Sequence, residues 1–301
     1  MSYDEIKSLN TIVDPNGGFF VIPQYSQRMT EKKFDNRGFM SAVDKVTVSS
    51  GQYKEIIDWA DYDLAYYKNE LTEASADAGG EAFKEVTWNA TEQIYTKKFS
   101  RNQLEDSMID IESYILRKLR EGSDRQTGDR IVTGSGVDQP RGILTYADGT
   151  AYGQIEQITS SAVGSLKWED VINLLPSALK DPYHDNSSYC MRRTAFFDLL
   201  ADVDGNARFQ IGNQINFFSG DKMSLAILGS PVVWDPNMEA VATAGKSVLF
   251  GDFKETYVYM DRIGFSVLRD ETNPSYVKVH LRRRNDGKVR NFEATKMLVI
   301  Q

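Results

Sequence analysis

Phosphate binding is the first chemistry to test, because "GSGVDQPRGIL" (Gly134–Leu144) gathers three glycines and a proline into a short turn-like stretch. A phosphate loop requires G-x-x-x-x-G-K-[ST] between a strand and a helix, so that backbone N–H groups and a lysine meet the phosphates. No lysine follows these glycines, and the helical pattern lies before the loop rather than after it. Gly245-Lys246-Ser247 fails in the same way: the glycine needed five positions earlier is Ala240, and Ser247 runs into the strand-like "VLFGDF". A G-x-S-x-G nucleophile elbow is also missing. The metal-ligating types are equally sparse. His184 sits in the turn-like "DPYHDNSS" and His280 in an alternating strand, and no Cys/His cluster has ligand spacing. "DVDGN" (Asp202–Asn206) resembles the start of a calcium loop, yet its third acidic position and distal glutamate are missing, so it reads as a turn after a helix. "DWADYD" offers Asp58, Asp61 and Asp63 to a metal, the basis of a metal-dependent hydrolase reading; beside an acidic loop these acids serve better to keep that loop solvated. His184 and Cys190 read as a loop histidine and a packed thiol. The residues propose no catalytic set, no metal and no cofactor, and the expectation is a protein that is not an enzyme.

Composition narrows the class. The 301 residues allow one large or two ordinary domains with a real core. Hydrophobic content of 41% and charged content of 26% are ordinary for a soluble globular protein. The apolar runs fall far short of a membrane span, and the N-terminus has no charged-then-apolar signal pattern. A single cysteine excludes an internal disulfide and suits a reducing compartment. A net charge of −8 argues against a dedicated nucleic-acid binder, which would carry a basic face. A cytosolic product is expected.

The elements say more than the residue types. Residues 1–45 hold "DPNGGFFVIPQ" (Asp14–Gln24), one extended apolar run flanked by turn residues, which reads as an arm lying on something else. Two strand-like segments follow, 46–59 and 83–99, rich in β-branched and aromatic residues. Between them Asp61, Asp63, Glu70, Glu73, Asp77 and Glu81 outnumber the one lysine, Lys68, so the stretch is too polar to pack inside a domain. Strands of this length would reach ~45 Å, against a body diameter of about 50 Å. A hairpin that long should project and lie against a neighbouring subunit, since an isolated two-stranded ribbon is marginal in water; the plain alternative is a surface insertion. Ser100 with Gln103 then forms a capping box, and Leu104, Met108, Ile111, Ile115 and Leu119 repeat at helical spacing, with a further helical turn or two at 123–133. Near the C-terminus, Val277, Val279 and Leu281 alternate with Lys278, His280 and Arg282, a strand with one apolar and one basic face. Asn285-Asp286-Gly287 has the chemistry of a tight hairpin turn, which would gather Arg282, Arg283, Arg284, Lys288 and Arg290 near its tip.

The order "DPNGGFFVIPQ", "FKEVTWNATEQIYTKKFSRNQLEDS", long helix, "GSGVDQPRGIL" resembles the major capsid proteins of tailed bacteriophages, the HK-97-like fold family. "SLKWEDVINLLPSAL", "SSYCMRRTAFFDLLADVDGN", "LAILGSPVVWDPNM", "FGDFKETYVYMDRIGFSVLRDE" and "YVKVHLRRRNDGKVRNFEATKMLVI" continue the resemblance over essentially the whole chain. Each motif is weak alone; their order is specific. The resemblance implies an α+β fold: an N-terminal arm (1–45), an extended loop and the start of a peripheral domain (46–99), a spine helix and turn (100–145), an axial domain (146–265) and a return to the peripheral domain (266–301). Gly134–Leu144 would be the corner where the chain leaves the spine helix, its glycines permitting positive φ and Pro140 stopping the helix.

The implied function is a shell subunit whose copies form pentamers and hexamers enclosing double-stranded DNA in a virion. Its partners would be itself, portal and scaffold or protease proteins during assembly in the host bacterial cytoplasm, and DNA without sequence preference; no membrane partner is implied. The scaffolding segment that begins many family members is absent from this sequence, which suits either a matured form or a separate scaffold. Some relatives weld subunits through a lysine–asparagine bond, but Lys54, Lys68 and Lys84 align with no reactive position. Gene-transfer-agent capsids and encapsulin shells share the fold and are the nearer alternatives. The expected assembly contacts are Lys68, Glu70, Glu73 and Asp77 in the acidic stretch, and Arg282, Arg283, Arg284, Lys288 and Arg290 in the basic one.

Overall fold

The computed structural model describes residues 38–59, 83–102, 111–201, 215–216 and 226–301. Residues 1–37 of the expected arm, the acidic stretch, the capping residue Gln103 with the first part of the helical stripe, and the Asp202–Asn206 turn lie outside the described residues. The end of the arm, 38–45, joins the body, with Phe39 fully buried in the core. The strands are β1 (Asp44–Val48), β2 (Gln52–Asp58), β3 (Phe83–Asn89), β4 (Thr91–Ser100), β5 (Gln157–Thr159), β6 (Ser188–Met191), β7 (Ile215–Asn216), β8 (Ala226–Ile227), β9 (Ser230–Trp234), β10 (Lys246–Gly251), β11 (Tyr257–Asp270), β12 (Tyr276–Val289) and β13 (Thr295–Val299). They form a four-stranded sheet in the order β1-β11-β12-β4, a seven-stranded sheet in the order β5-β13-β10-β6-β9-β8-β7, and the two-stranded ribbon β2-β3.

In the four-stranded sheet the expected alternation on β12 holds. Val277, Val279 and Leu281 are 2%, 1% and 1% exposed, and Phe99, Ile115 and Leu116 cover Val277 and Val279. Ile115 and Leu116 belong to a helix, Ile111–Thr133, that runs unbroken for 23 residues, a length of about 34 Å. The separate turns expected at 123–133 are thus the second half of one helix. Ser123 is fully buried and its hydroxyl donates to Gln93 Oε1 at 2.8 Å, which gives a weak helix former a tertiary reason to stay helical.

The long two-stranded hairpin expected from 46–59 and 83–99 is divided. Only β2 and β3 pair with each other, from Gln52↔Asn89 to Asp58↔Phe83. Their flanking halves, β1 and β4, join β11 and β12 instead. Ser49–Gly51 and Ala90 break the two runs at matching places, joined by Ala90 N–H donating to the Gly51 carbonyl at 3.0 Å. Nor does the described part of the ribbon project. Trp88 is fully buried, and with Val86 and Tyr53 it packs on Val258 and Met260 of the sheet. Burying that apolar face outweighs any gain from extending it into solvent.

In the seven-stranded sheet the successive residues Val248, Leu249 and Phe250 of β10 are all buried, as befits a strand covered on both faces. Leu249, Cys190 and Met297 enter one core, shared with Ile131, Val132 and Phe253. Val248, Phe250, Tyr189, Met191 and Leu298 enter the other, together with Trp168, Val171 and Leu175 and with Ala195 and Leu199 of the helix Arg193–Ala201. The Gly134–Leu144 corner touches both sheets, through Arg141 N–H on the Gly287 carbonyl of β12 and Lys246 Nζ of β10 on the Leu144 carbonyl. There Gly134 N–H closes the helix on the Arg130 carbonyl at 2.7 Å, and Gly142 N–H returns to the Gly134 carbonyl at 2.8 Å. A Cβ on Gly142 would lie 2.5 Å from Gly134 N and from the Val132 carbonyl oxygen, and one on Gly134 would collide with the Pro140 carbonyl. Close approach therefore explains these two glycines; positive φ, expected for all three, is confined to Gly136 at 80°.

Candidate assembly site

The basic residues singled out on β12 do not sit at a hairpin tip. β12 runs through Asn285-Asp286-Gly287 without a turn, and these residues pair with Asp261, Met260 and Tyr259 of β11. The turn between β11 and β12 falls at 271–275, where Asp270 Oδ1 accepts Thr272 N–H at 3.0 Å. Tertiary partners override the turn propensity. Asp286 is 4% exposed, and its two carboxylate oxygens accept Asn89 N–H and its own neighbour Gly287 N–H, each at 2.8 Å. Burial raises the Asp286 carboxyl above the usual carboxylate range, and the two N–H donors and Lys288 only partly offset that. Gly287 has no positive φ; a Cβ there would meet the Tyr257 ring at 2.9 Å.

Strand parity sends the basic side chains to different places. Arg283, beside Leu281, points to the helix face and is 8% exposed. Its guanidinium donates to Asp261 at 2.7 Å and to Asp124 of the long helix at 2.7 Å, and lies 4.7 Å from the Phe265 ring centroid. Arg284 Nη2 donates to the Ala90 carbonyl at 3.1 Å. Lys288 Nζ donates to the Thr87 carbonyl at 2.6 Å. Arg290 reaches Glu255 at 3.3 Å, Asp44 at 3.6 Å and Glu55 at 3.8 Å, so it ties β1 and β2 to the body. Thr91 Oγ1 adds a bond to the Asn285 carbonyl at 2.8 Å. Arg284, Asp286, Lys288 and Arg290 thus clamp the root of the ribbon, and only Arg282 stays exposed, against the Glu92 carboxylate. Lys68, Glu70, Glu73 and Asp77 lie outside the described residues.

The end of this strand is also fixed to the corner. Val289 N–H donates to the Tyr146 hydroxyl at 3.1 Å, Arg141 N–H donates to the Gly287 carbonyl at 2.8 Å, and Tyr257 hydroxyl donates to the Arg141 carbonyl at 2.9 Å. Burial pushes the Tyr146 phenol up to about 12, so it serves as a neutral hydrogen-bonding group.

The residues weighed for chemistry fall into structural places. Cys190 is fully buried, and desolvation holds its thiol well above the ordinary value, which leaves no thiolate at neutral pH. His184 touches the Leu179 carbonyl at 3.2 Å, and His280 Nδ1 meets Thr96 Oγ1 at 2.8 Å. Asp58 ends β2, while Asp61 and Asp63 lie outside the described residues. Among the described residues no group of three or more His, Cys, Asp or Glu could hold a metal ion, and no helix is long and apolar enough to cross a membrane. Sequence reasoning missed Asp286, Trp88 and Arg262. A buried tryptophan on a ribbon was readable from its apolar partners Val86 and Tyr53; the place of Arg262 opposite Arg284 depends on a register that no local pattern encodes.

Comparison with known proteins fits this architecture. No curated protein matches the chain. Among solved structures it resembles the capsid of a native GTA particle, with a TM-score of 0.86 at 23% identity over 97% of this chain and 99% of that one. It also resembles a structure from Microbacterium phage Oxtober96 (TM-score 0.68, 12% identity, 96% and 99% covered). A third is the holo-SrpI encapsulin complex from Synechococcus elongatus PCC 7942 (TM-score 0.67, 11% identity, 96% and 95% covered). These likenesses establish the HK-97-like fold, mixed in helix and strand. The profile of the phage capsid family matches residues 17–300, across both sheets, the ribbon and the corner; this chain belongs to that family, as a major capsid protein that self-assembles into a shell.

Proposed function

We propose that copies of this chain form the pentamers and hexamers of an icosahedral bacteriophage head that encloses double-stranded DNA. The supporting observation is the family match over residues 17–300, together with a body whose conspicuous polar network fixes a ribbon rather than a reactive group. The chemistry asked of such a subunit is positional: each copy must present the same surfaces at fixed angles, and rigid joints at the corner and the ribbon root supply that. Portal and scaffold or protease proteins are the assembly partners in this reading, and assembly takes place in the host bacterial cytoplasm. The packaged DNA is met through its phosphates, without sequence preference. A second reading, the shell of a gene-transfer agent, draws on one observation: the GTA capsid superposes at a TM-score of 0.86 against 0.68 for the phage structure. Particles purified from producing cells should protect DNA from nuclease. Sequencing that DNA separates the readings: one repeated genome supports the phage head, scattered host fragments support the gene-transfer agent, and particles with protein cargo and no protected DNA contradict both.

A further inference from the structure

Arg262 and Arg284 reach the ribbon root from two neighbouring strands of the four-stranded sheet. They lie directly opposite each other on β11 and β12, and two residues along β12 Arg282 lies opposite Ser266, beyond a bulge at 263–265. Residues 262, 266, 282 and 284 therefore share one face. Arg262 Nε donates to the Ser49 carbonyl at 3.2 Å and Arg284 Nη2 to the Ala90 carbonyl at 3.1 Å. Both carbonyls belong to one joint, closed by Ala90 N–H on the Gly51 carbonyl at 3.0 Å, so the two guanidinium groups are drawn to the same place. Like charges placed directly opposite destabilise a sheet. Among the described residues neither Arg262 nor Arg284 forms an ion pair. Glu92 pairs with Arg282, and Asp261 and Asp124 are committed to Arg283. The three arginines line a cavity of about 260 Å³ with Gly264, Phe265 and Ser266.

We propose that this cavity is a phosphate site, in which Arg262, Arg282 and Arg284 bind free phosphate or a phosphomonoester and thereby lock the ribbon root. The charge count selects the ligand. Two guanidinium groups stand without a counter-charge, and a phosphomonoester carries about −1.5 to −2 at neutral pH with three strong acceptor oxygens. The planar fork of arginine engages such oxygens two at a time. More donors stand beside the arginines. The bulge takes 263–265 out of the ladder, so their N–H groups are not spent on β12, and Ser266 brings a hydroxyl to the cavity. Gly264, at φ 67°, makes the left-handed bend that lets the backbone turn there. The consequence is local. Arg262 already holds Ser49, between β1 and β2, and Arg284 holds Ala90, between β3 and β4. A phosphate bridging the two arginines ties both connections of the ribbon to the sheet. A nucleic-acid backbone fits less well: its phosphates carry one charge each along a rod, whereas these charges line a concavity with Glu92 beside Arg282.

The test is isothermal titration of the full chain with inorganic phosphate, against sodium chloride at constant ionic strength. Arg262→Gln/Arg282→Gln, which leaves Arg284 on Ala90, should bind phosphate about tenfold or more weakly, as for the loss of hydrogen bonds to a charged group. Measured below the melting range of both proteins, this comparison holds even if the variant is less stable. Thermal unfolding gives a second readout. Phosphate at a hundredfold above its Kd should raise the wild-type Tm by about 4 °C and leave the variant's unchanged. In chloride alone the variant should melt no lower than the wild type, because the opposed charges are gone. Hydrogen exchange should show phosphate slowing the Ala90 amide in the wild type only. No phosphate binding by the wild type, or equal affinity in the two proteins, overturns the proposal. A duplex oligonucleotide that displaces phosphate from the wild type would assign the site to a nucleic-acid backbone and overturn the charge argument; no displacement supports free phosphate or a monoester. The site lies within one chain, so its failure leaves the shell reading untouched.

Discussion

Parity along β12 assigns each basic side chain its role, because neighbours on a strand face opposite ways. Arg283 is a folding residue: Arg283→Ala strands Asp261 beside a core and should cost about 3 kcal/mol in urea unfolding, whereas Arg282→Ala, at an exposed position, should stay within about 0.5 kcal/mol. Asp286 gives a pH signature. Its native pKa is raised by burial, so the native state holds the proton more tightly than the unfolded chain. The stability this contributes is present below the ordinary carboxylate range and is lost as pH rises through the raised native value. The unfolding free energy of wild type relative to Asp286→Asn should therefore grow in favour of wild type as pH falls from neutral toward the carboxylate range; a flat difference would mean that Asp286 titrates normally. The apolar alternation of β12 was legible because it is local. The role of Asn285-Asp286-Gly287 was not, since the Asn89 amide that Asp286 holds lies 197 positions away.

At the scale of elements, the corner and the ribbon carry the geometry. The corner was legible as a structural turn, though not the reason for its glycines: the crowding at Gly142 comes from the loop folding back on the helix end. Gly142→Ala should lower stability by about 3 kcal/mol, in the range of strong steric clashes, with the secondary structure kept; a change below about 1 kcal/mol would show that the loop yields easily. The strand-like runs 46–59 and 83–99 were legible from their residues, but not their division, because a ribbon and a sheet edge present the same period-two pattern. The single helix across Gly122 was hidden by a glycine–serine pair whose helical state depends on the contact of Ser123 with Gln93. Shortening residues 68–81 to a tight turn should leave thermal unfolding of the isolated chain unchanged and impair particle formation. Normal, equally heat-stable particles would reduce the stretch to a solvated surface.

For the whole molecule, fold class and function were readable from motif order, because a capsid subunit's role is its shape and many weak motifs in one order specify a shape. Contacts between copies were not readable, since they join surfaces that no single chain brings together. The account holds that the two sheets, joined by the corner and clamped at the ribbon root, are one subunit of a closed assembly. Sedimentation of the purified full-length chain, with negative-stain microscopy of each fraction, tests this most directly. Rings of five and six copies and closed, uniform shells are the predicted result. A 34.0 kDa monomer at every concentration and salt tried, with no particles in any fraction, would contradict it.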